Sequence, residues 1–503
     1  MLTRNKKPIY ESSQWNFDVL QRLYDEIEKI AIDELKLDVY PNQLEVISSE
    51  QMLDAYASIG LPIYYNHWSF GKHFVAESEK YRRGRSGLAY EIVINSNPCI
   101  SYLMEENTST LQATVIAHAC FGHNHFFKNN YLFKQWTDAD YIVDYMVFAN
   151  DYIRKCEERY GIGEVEKFLD SCHALKQNGI NKTVRPERHS IHSDFVNAKE
   201  RQEYIDKQYN DLWRTIPKLD ADIKAKKNEY AGQLKHPEEN ILYFLEKNSP
   251  ILKTWQREII RIVRQISQYF YPQMQTKLMN EGFAVFTHHY IMNRLYDEDL
   301  IDEGSMLEFI RTHSNIIMQR GLTHKHYTGF NPYALGSEMM YDIKRICEDP
   351  TEEDKEWFPD IAGTPWQETL LDAVENYRDE SFITQFLSPH LIRKMRLISI
   401  YDEEKAKNYV VDAIHDEEGY KKIIQNLSKQ NDLNYVIPNV QVVAADMEGD
   451  RELILYHYAV NNKTLIEEEA RKVITHIKKL WGYKVDLISV DNEGLRLDRI
   501  CSF

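Results

Sequence analysis

The chain has 503 residues, 43% of them hydrophobic and 12% aromatic, which excludes global disorder and supplies apolar surface for two or three domains. A formal charge of −17 argues against broad, non-specific nucleic-acid binding. No apolar run approaches the roughly 20 residues that span a bilayer, the N-terminal stretch MLTRNKKPIYESSQWNF lacks the apolar segment of a signal peptide, and six scattered cysteines without a C-x-x-C pair make no disulfide framework, so the expected compartment is a reducing cytoplasm.

From Phe17 to Leu35, FDVLQRLYDEIEKIAIDEL has apolar residues at helical spacing and predicts an amphipathic helix. Aromatic loops follow around Tyr64-Tyr65-Asn66-His67-Trp68. AYEIVIN (Ala89–Asn95) and CISYLM (Cys99–Met104) flank Ser96-Asn97-Pro98 and read as two strands around a turn. Glu105-Glu-Asn-Thr-Ser-Thr then offers N-caps for the apolar helix LQATVIAHACF. Helices are expected over 138–160 and 163–175. Residues 181–236 are polar and charged, densest at Lys224-Ala-Lys-Lys-Asn, and read as a surface excursion.

Helical patterning resumes at Pro237 and is dense from Ile251 to Leu295. Past residue 390 the pattern changes. Val442–Asp446, Leu453–Ala459 and Lys484–Val490 read as strands, with a helix over Leu465–Leu480, which gives a small ββαβ unit. The expected fold class is α+β. It comprises a mainly helical, zincin-like region over 1–390 with a small mixed sheet, and a smaller C-terminal domain over 391–503.

Two stretches carry metal-ligand chemistry. In IAHACFGHNH, His118 and His123 are five residues apart, about 140° around an ideal helix. Their imidazoles converge only where the helix loosens or ends near Gly122, and His125 is free to point elsewhere. In LMNEGFAVFTHH, Glu281 and His288 are seven apart, two helical turns, and face one side. Gly282 and Ala284 are small enough for another helix to approach, and His289 points about 100° away from His288.

Two imidazoles and a carboxylate with one position left to water form the usual catalytic Zn²⁺ shell. The expected metal set is therefore His118, His123, Glu281 and His288 around a divalent ion, zinc first. Glu281, His288 and His173 are the catalytic candidates, with Tyr327 and Tyr333 as further ones. Asp170 and His173 share a helix face, as a ligand and its orienter do, and equally as an ordinary polar pair does. The competing reading of every lone histidine on an apolar helix is a satisfied core residue. Cys120 reads as an inert buried thiol, Gly84-Arg-Ser-Gly87 lacks the phosphate-loop pattern, and Arg393-Lys-Met-Arg396 reads as an interdomain or solvated surface.

NEGFA resembles the second active-site helix of gluzincin metallopeptidases, in particular their zinc aminopeptidases, where its Glu is the third zinc ligand. This chain departs from them at Ala119, where H-E-x-x-H carries its general base, and in its longer histidine spacing and longer gap to Glu281. The resemblance implies metal binding before peptidase chemistry, with a general base from elsewhere.

Nearly the whole chain resembles the stage V sporulation protein R (SpoVR-like) family, in its non-sporulating enterobacterial branch. Long blocks carry this likeness: GLAYEIVINSNPCISYLMEENT, AHACFGHNHFFKNNYLF, ERYGIGEVEKFLDSCHAL, SQYFYPQMQTKLMNEGFA, NPYALG, TEEDKEWFPDIAG and ESFITQFLSPHLIRKMRLISI. The resemblance implies a link to the spore-cortex cell wall or, in bacteria that make no spores, to stress physiology. It also implies a PrkA-type serine kinase and a von Willebrand A-like protein as partners. Two expectations follow. One is a metal-dependent hydrolase of peptide or amide bonds; the other is a non-catalytic regulatory or assembly protein with a degenerate metal site, whose C-terminal domain binds the kinase.

Overall fold

The structure, a computed structural model, describes residues 7–57, 65–69, 72, 91–183, 233–321, 329–401, 410–413, 416–447 and 449–502. Contacts divide the chain into two compact units, one of 1–151 with 272–433 and one of 152–271 with 434–503.

In the first unit, helix α1 (Phe17–Lys29) starts where the Asn16 side chain accepts the Val19 N–H at 2.9 Å, and it buries Leu20, Leu23 and Ile27. It runs on into a π-helical turn, Ile30–Glu34. Strands β1 (Asn42–Ile47), β2 (Glu91–Ile94) and β3 (Cys99–Met104) form a sheet in the order β1-β3-β2, with β1 parallel and β2 antiparallel to the centre. Helix α2 (Ser109–Ile116), capped by Thr108, continues without a break into a second π turn, Ala117–His123, and then α3 (Asn124–Asn129). Every residue of that π turn is buried.

Against it lies α4 (Lys277–Asp297), the helix of the NEGFA stretch. The expected close approach is made twice. A Cβ on Gly122 would stand 2.6 Å from Ala284 Cα, and one on Gly282 would stand 2.3 Å from the Gly336 carbonyl carbon. Gly336 belongs to α6 (Pro332–Glu348), which follows α5 (Glu303–Ile316). Bare glycine backbones thus let α4 run between the π turn and α6 at distances no side chain would allow. Both ends of α4 are tied down. Asp379, first residue of α7 (Asp379–Phe386), accepts the Leu278 and Met279 N–H groups at 2.8 and 2.9 Å. Arg294 grips Glu34 with two hydrogen bonds of 2.8 and 3.0 Å.

The second unit holds a five-stranded sheet of β4 (Gln233–Glu238), β5 (Asn439–Ala445), β6 (Leu453–Tyr458), β7 (Val485–Val490) and β8 (Arg496–Cys501), in the order β8-β7-β6-β5-β4. Parallel β6 and β7 are joined by helix α8 (Glu467–Trp481), which buries Ala470, Ile474, Ile477, Leu480 and Trp481. This is the expected ββαβ pattern with a strand added at each edge. The expected excursion over 181–236 falls mostly on 184–232, outside the described residues, and its end supplies edge strand β4. Pro237 suits an edge, where its missing N–H costs no ladder bond.

The α+β class holds, with small sheets beside a mainly helical remainder. Contacts tie residues 152–271 to the C-terminal segment, and the boundary expected near residue 390 stands as a proposal about which part folds alone. All six cysteines are free thiols. Among the described residues no helix is long and apolar enough to cross a membrane.

Candidate metal centre

The π turn solves the spacing problem posed by His118 and His123. With i→i+5 hydrogen bonding, residues five apart sit nearly one above the other, and the two rings meet edge to face with centroids 4.6 Å apart. One ligand atom from each of Glu91, His118 and His123 lies within 4.8 Å of the other two. Glu91 opens β2, and its Oε1 is 3.2 Å from His118 Nε2. From the other side, Glu281 Oε2 stands 3.9 Å from His118 Nε2 and 3.6 Å from His123 Nε2. Bonds of about 2.0–2.1 Å around a tetrahedral ion put neighbouring ligand atoms roughly 3.3–3.5 Å apart. The donor set has that scale.

The far side of each imidazole is occupied. His123 Nδ1 donates to Asn280 Oδ1 at 2.9 Å, which leaves its Nε2 facing Glu281. His118 Nδ1 lies 2.9 Å from His288 Nδ1, and the ring also hydrogen-bonds the backbone of Ala284. His288 Nε2 is in turn 3.0 Å from His313 Nδ1 on α5.

Electrostatics favour donors over charged imidazoles. Burial, with the neighbouring His123 charge, pushes His118 well below the usual histidine range, and burial with the His118 charge does the same to His288. Burial raises Glu91 well above the usual carboxylate range, and the Glu281 charge adds to this. A divalent cation placed among such donors would stabilise the ionised carboxylate and the unprotonated imidazole, and its field opposes proton uptake by both.

The structure therefore groups His118, His123 and Glu281, and sets His288 behind His118 with both ring nitrogens turned to other imidazoles. His173 ends the helix Ile162–His173 in the second unit, whereas every residue of this centre belongs to the first. His125 accepts the Asp38 N–H at Nδ1, and its buried Nε2 has no hydrogen-bond partner among the described residues; the ring lies beside Phe283. His289 turns to Tyr341, 2.5 Å from its hydroxyl. Tyr333 lies at the start of α6, half-buried. Tyr327 and Gly84–Gly87 lie outside the described residues. Burial pushes the Cys120 thiol up to about 12, so it is inert, as its apolar helix implied.

Three residues escaped the sequence reading: Glu91, Asn280 and His313. Glu91 is the one acid in the apolar strand AYEIVI, and Asn280 directly precedes Glu281. Those were the available signals; His313 had none.

A two-histidine, two-carboxylate cluster on a helix pair and a strand edge, its histidines buried and its carboxylates half-buried, is a set of donors that could hold a metal ion. The chain belongs to the SpoVR family: it matches the family described as SpoVR like protein over residues 14–436 and the SpoVR-like C-terminal domain over 438–492. It is 50% identical over 494 residues to the uncharacterized protein YcgB of Escherichia coli (strain K12), covering 98% of this chain and 96% of that one. No solved structure matches the chain.

Proposed function

We propose that this protein binds a divalent ion, zinc by the nature of its donors, and acts as a zincin-like hydrolase of peptide or amide bonds. The convergence of Glu91, His118 and His123 on one point, with Glu281 beside them, carries this reading. An ion bound there supplies Lewis acidity and lowers the pKa of its water toward neutrality. The chain's own residues do the rest. His118 and His123 offer ring nitrogens, aimed by His288 and Asn280. Glu91 neutralises charge and closes the donor triad. Glu281 takes the proton of the attacking water, the role that Ala119 leaves vacant. The link to cell-wall or stress physiology rests on membership of the family.

A second reading is favoured by one observation: Glu281 Oε2 is about as far from both imidazoles as a fourth tetrahedral ligand would be. Four protein ligands close the shell and make the site structural, in a regulatory or assembly protein working with a PrkA-type kinase.

Metal analysis of the purified chain separates the two. The parent is expected to carry a stoichiometric ion, and His118→Ala and Glu91→Gln to lose it. Glu281→Gln that keeps the ion but stops hydrolysis of model peptides supports the hydrolase. Loss of the ion in Glu281→Gln supports the closed site. A parent without stoichiometric metal, or a His118→Ala chain that keeps it, removes both.

A further inference from the structure

Away from the metal centre, the first unit contains an open cavity of about 590 Å³, within the usual range of small-molecule sites of about 300–1,000 Å³. Three chain segments line it: Ile317–Gly321 after α5, Phe330 to Glu338 on and before α6, and Lys394–Ile398. Its floor is apolar, from Ile317, Phe330, Ala334, Met395 and Ile398. Its charged lining is three cations, Arg320, Lys394 and Arg396, against one carboxylate, Glu338. Glu338 is already held by Lys394 at 2.5 Å. In a chain of net charge −17 this is a local reversal of sign.

Arg396 is the informative residue. The helix Pro389–Lys394 ends in a paired motif in which the Arg396 N–H bonds Arg393 O and the Leu397 N–H bonds Ile392 O. Such an ending places its next residue in the left-handed region, the usual place of glycine. Here that residue is arginine, at φ 52°. A side chain of this size is disfavoured in that conformation. Arg396 lines the cavity, is exposed, and has no acidic partner among the described residues. The local fold is thus worse for having arginine, and the cavity gains a cation by it.

We propose that this cavity binds an organic anion with an acidic head, carboxylate or phosphate, on an apolar body. Arg396 and Arg320 take the head, and the floor of Ile317, Phe330 and Ala334 takes the body. The site does not depend on the metal reading. On α6, Ala334 and Glu338 are each about 200° around the helix from Gly336, which meets α4; the cavity is therefore on the face turned from the metal centre.

The test is calorimetric titration of the full chain with decanoate, decyl phosphate, decanol and inorganic phosphate. Decanoate or decyl phosphate should bind saturably, and the tighter of the two identifies the head group. Arg396→Asn should weaken that binding about tenfold, the scale of a lost charged hydrogen bond. It should leave the thermal midpoint equal or higher, because asparagine tolerates the left-handed conformation. Arg320→Gln, on a different segment, should weaken it as well, and His118→Ala should not. The proposal fails if both arginine variants bind as the parent does, if decanol binds as tightly as the acids, or if inorganic phosphate alone binds.

Discussion

Asn280 Oδ1 accepts the Nδ1 proton of His123 at 2.9 Å, one residue before Glu281 on the same helix. That bond fixes both the tautomer and the ring plane of one proposed ligand. Removing such a partner typically costs ten- to a hundredfold in metal affinity. Asn280→Ala should show that loss in competition with a chelator while keeping the parent's thermal midpoint without metal. An unchanged affinity would take Asn280 out of the site.

The bare approaches at α4 set a second expectation. A methyl group on Gly122 would press on Ala284, and one on Gly336 would stand 2.2 Å from Leu278 O. Each contact is with backbone in a packed interior, so Gly122→Ala and Gly336→Ala should each cost about 1–3 kcal/mol. Denaturant unfolding should show lower midpoints at constant slope. Gly163→Ala, with open space around its Cβ, is the control; it should be neutral or gain up to about 1 kcal/mol, as glycine-to-alanine changes in helices do. Equal behaviour of all three variants would mean that the helices separate freely.

Burial pushes His125 from 6.5 down to about 4. The sign follows directly: between those values the unfolded chain binds a proton that the folded chain refuses. This contribution to stability is complete above pH 6.5, declines as pH falls toward 4, and is absent below it. Its full size is of order 3 kcal/mol. Unfolding free energy measured in chelator should fall more steeply for the parent than for His125→Gln between pH 6.5 and 4. Parallel curves would show that His125 titrates alike in both states.

The amphipathic helices and the ββαβ core were readable because their apolar residues recur at the period of the element that buries them. The strands that were not read lack that signal. β1, NQLEVI, is nowhere fully buried; β4 carries a proline; and β8, RLDRIC, is largely exposed along an edge. The centre divides in the same way. His118, His123 and Glu281 stand out as ligand types on apolar helices. Glu91 is a single carboxylate on a short strand, and only the packing of β2 against the π turn gives it partners. Glu281 and His288 share a side of α4 by their spacing, but no local pattern says that His118 lies between His288 and the carboxylates.

A π turn is an α-helix that has taken in one residue more than its ladder can pair. The stretch Ala117–His123 has the length of an inserted residue and the side-chain register of an uninterrupted helix. Two imidazoles can therefore be kept facing each other while the count between them drifts, and deletion of one residue from Ala119–Gly122 would restore ordinary α spacing without separating the pair.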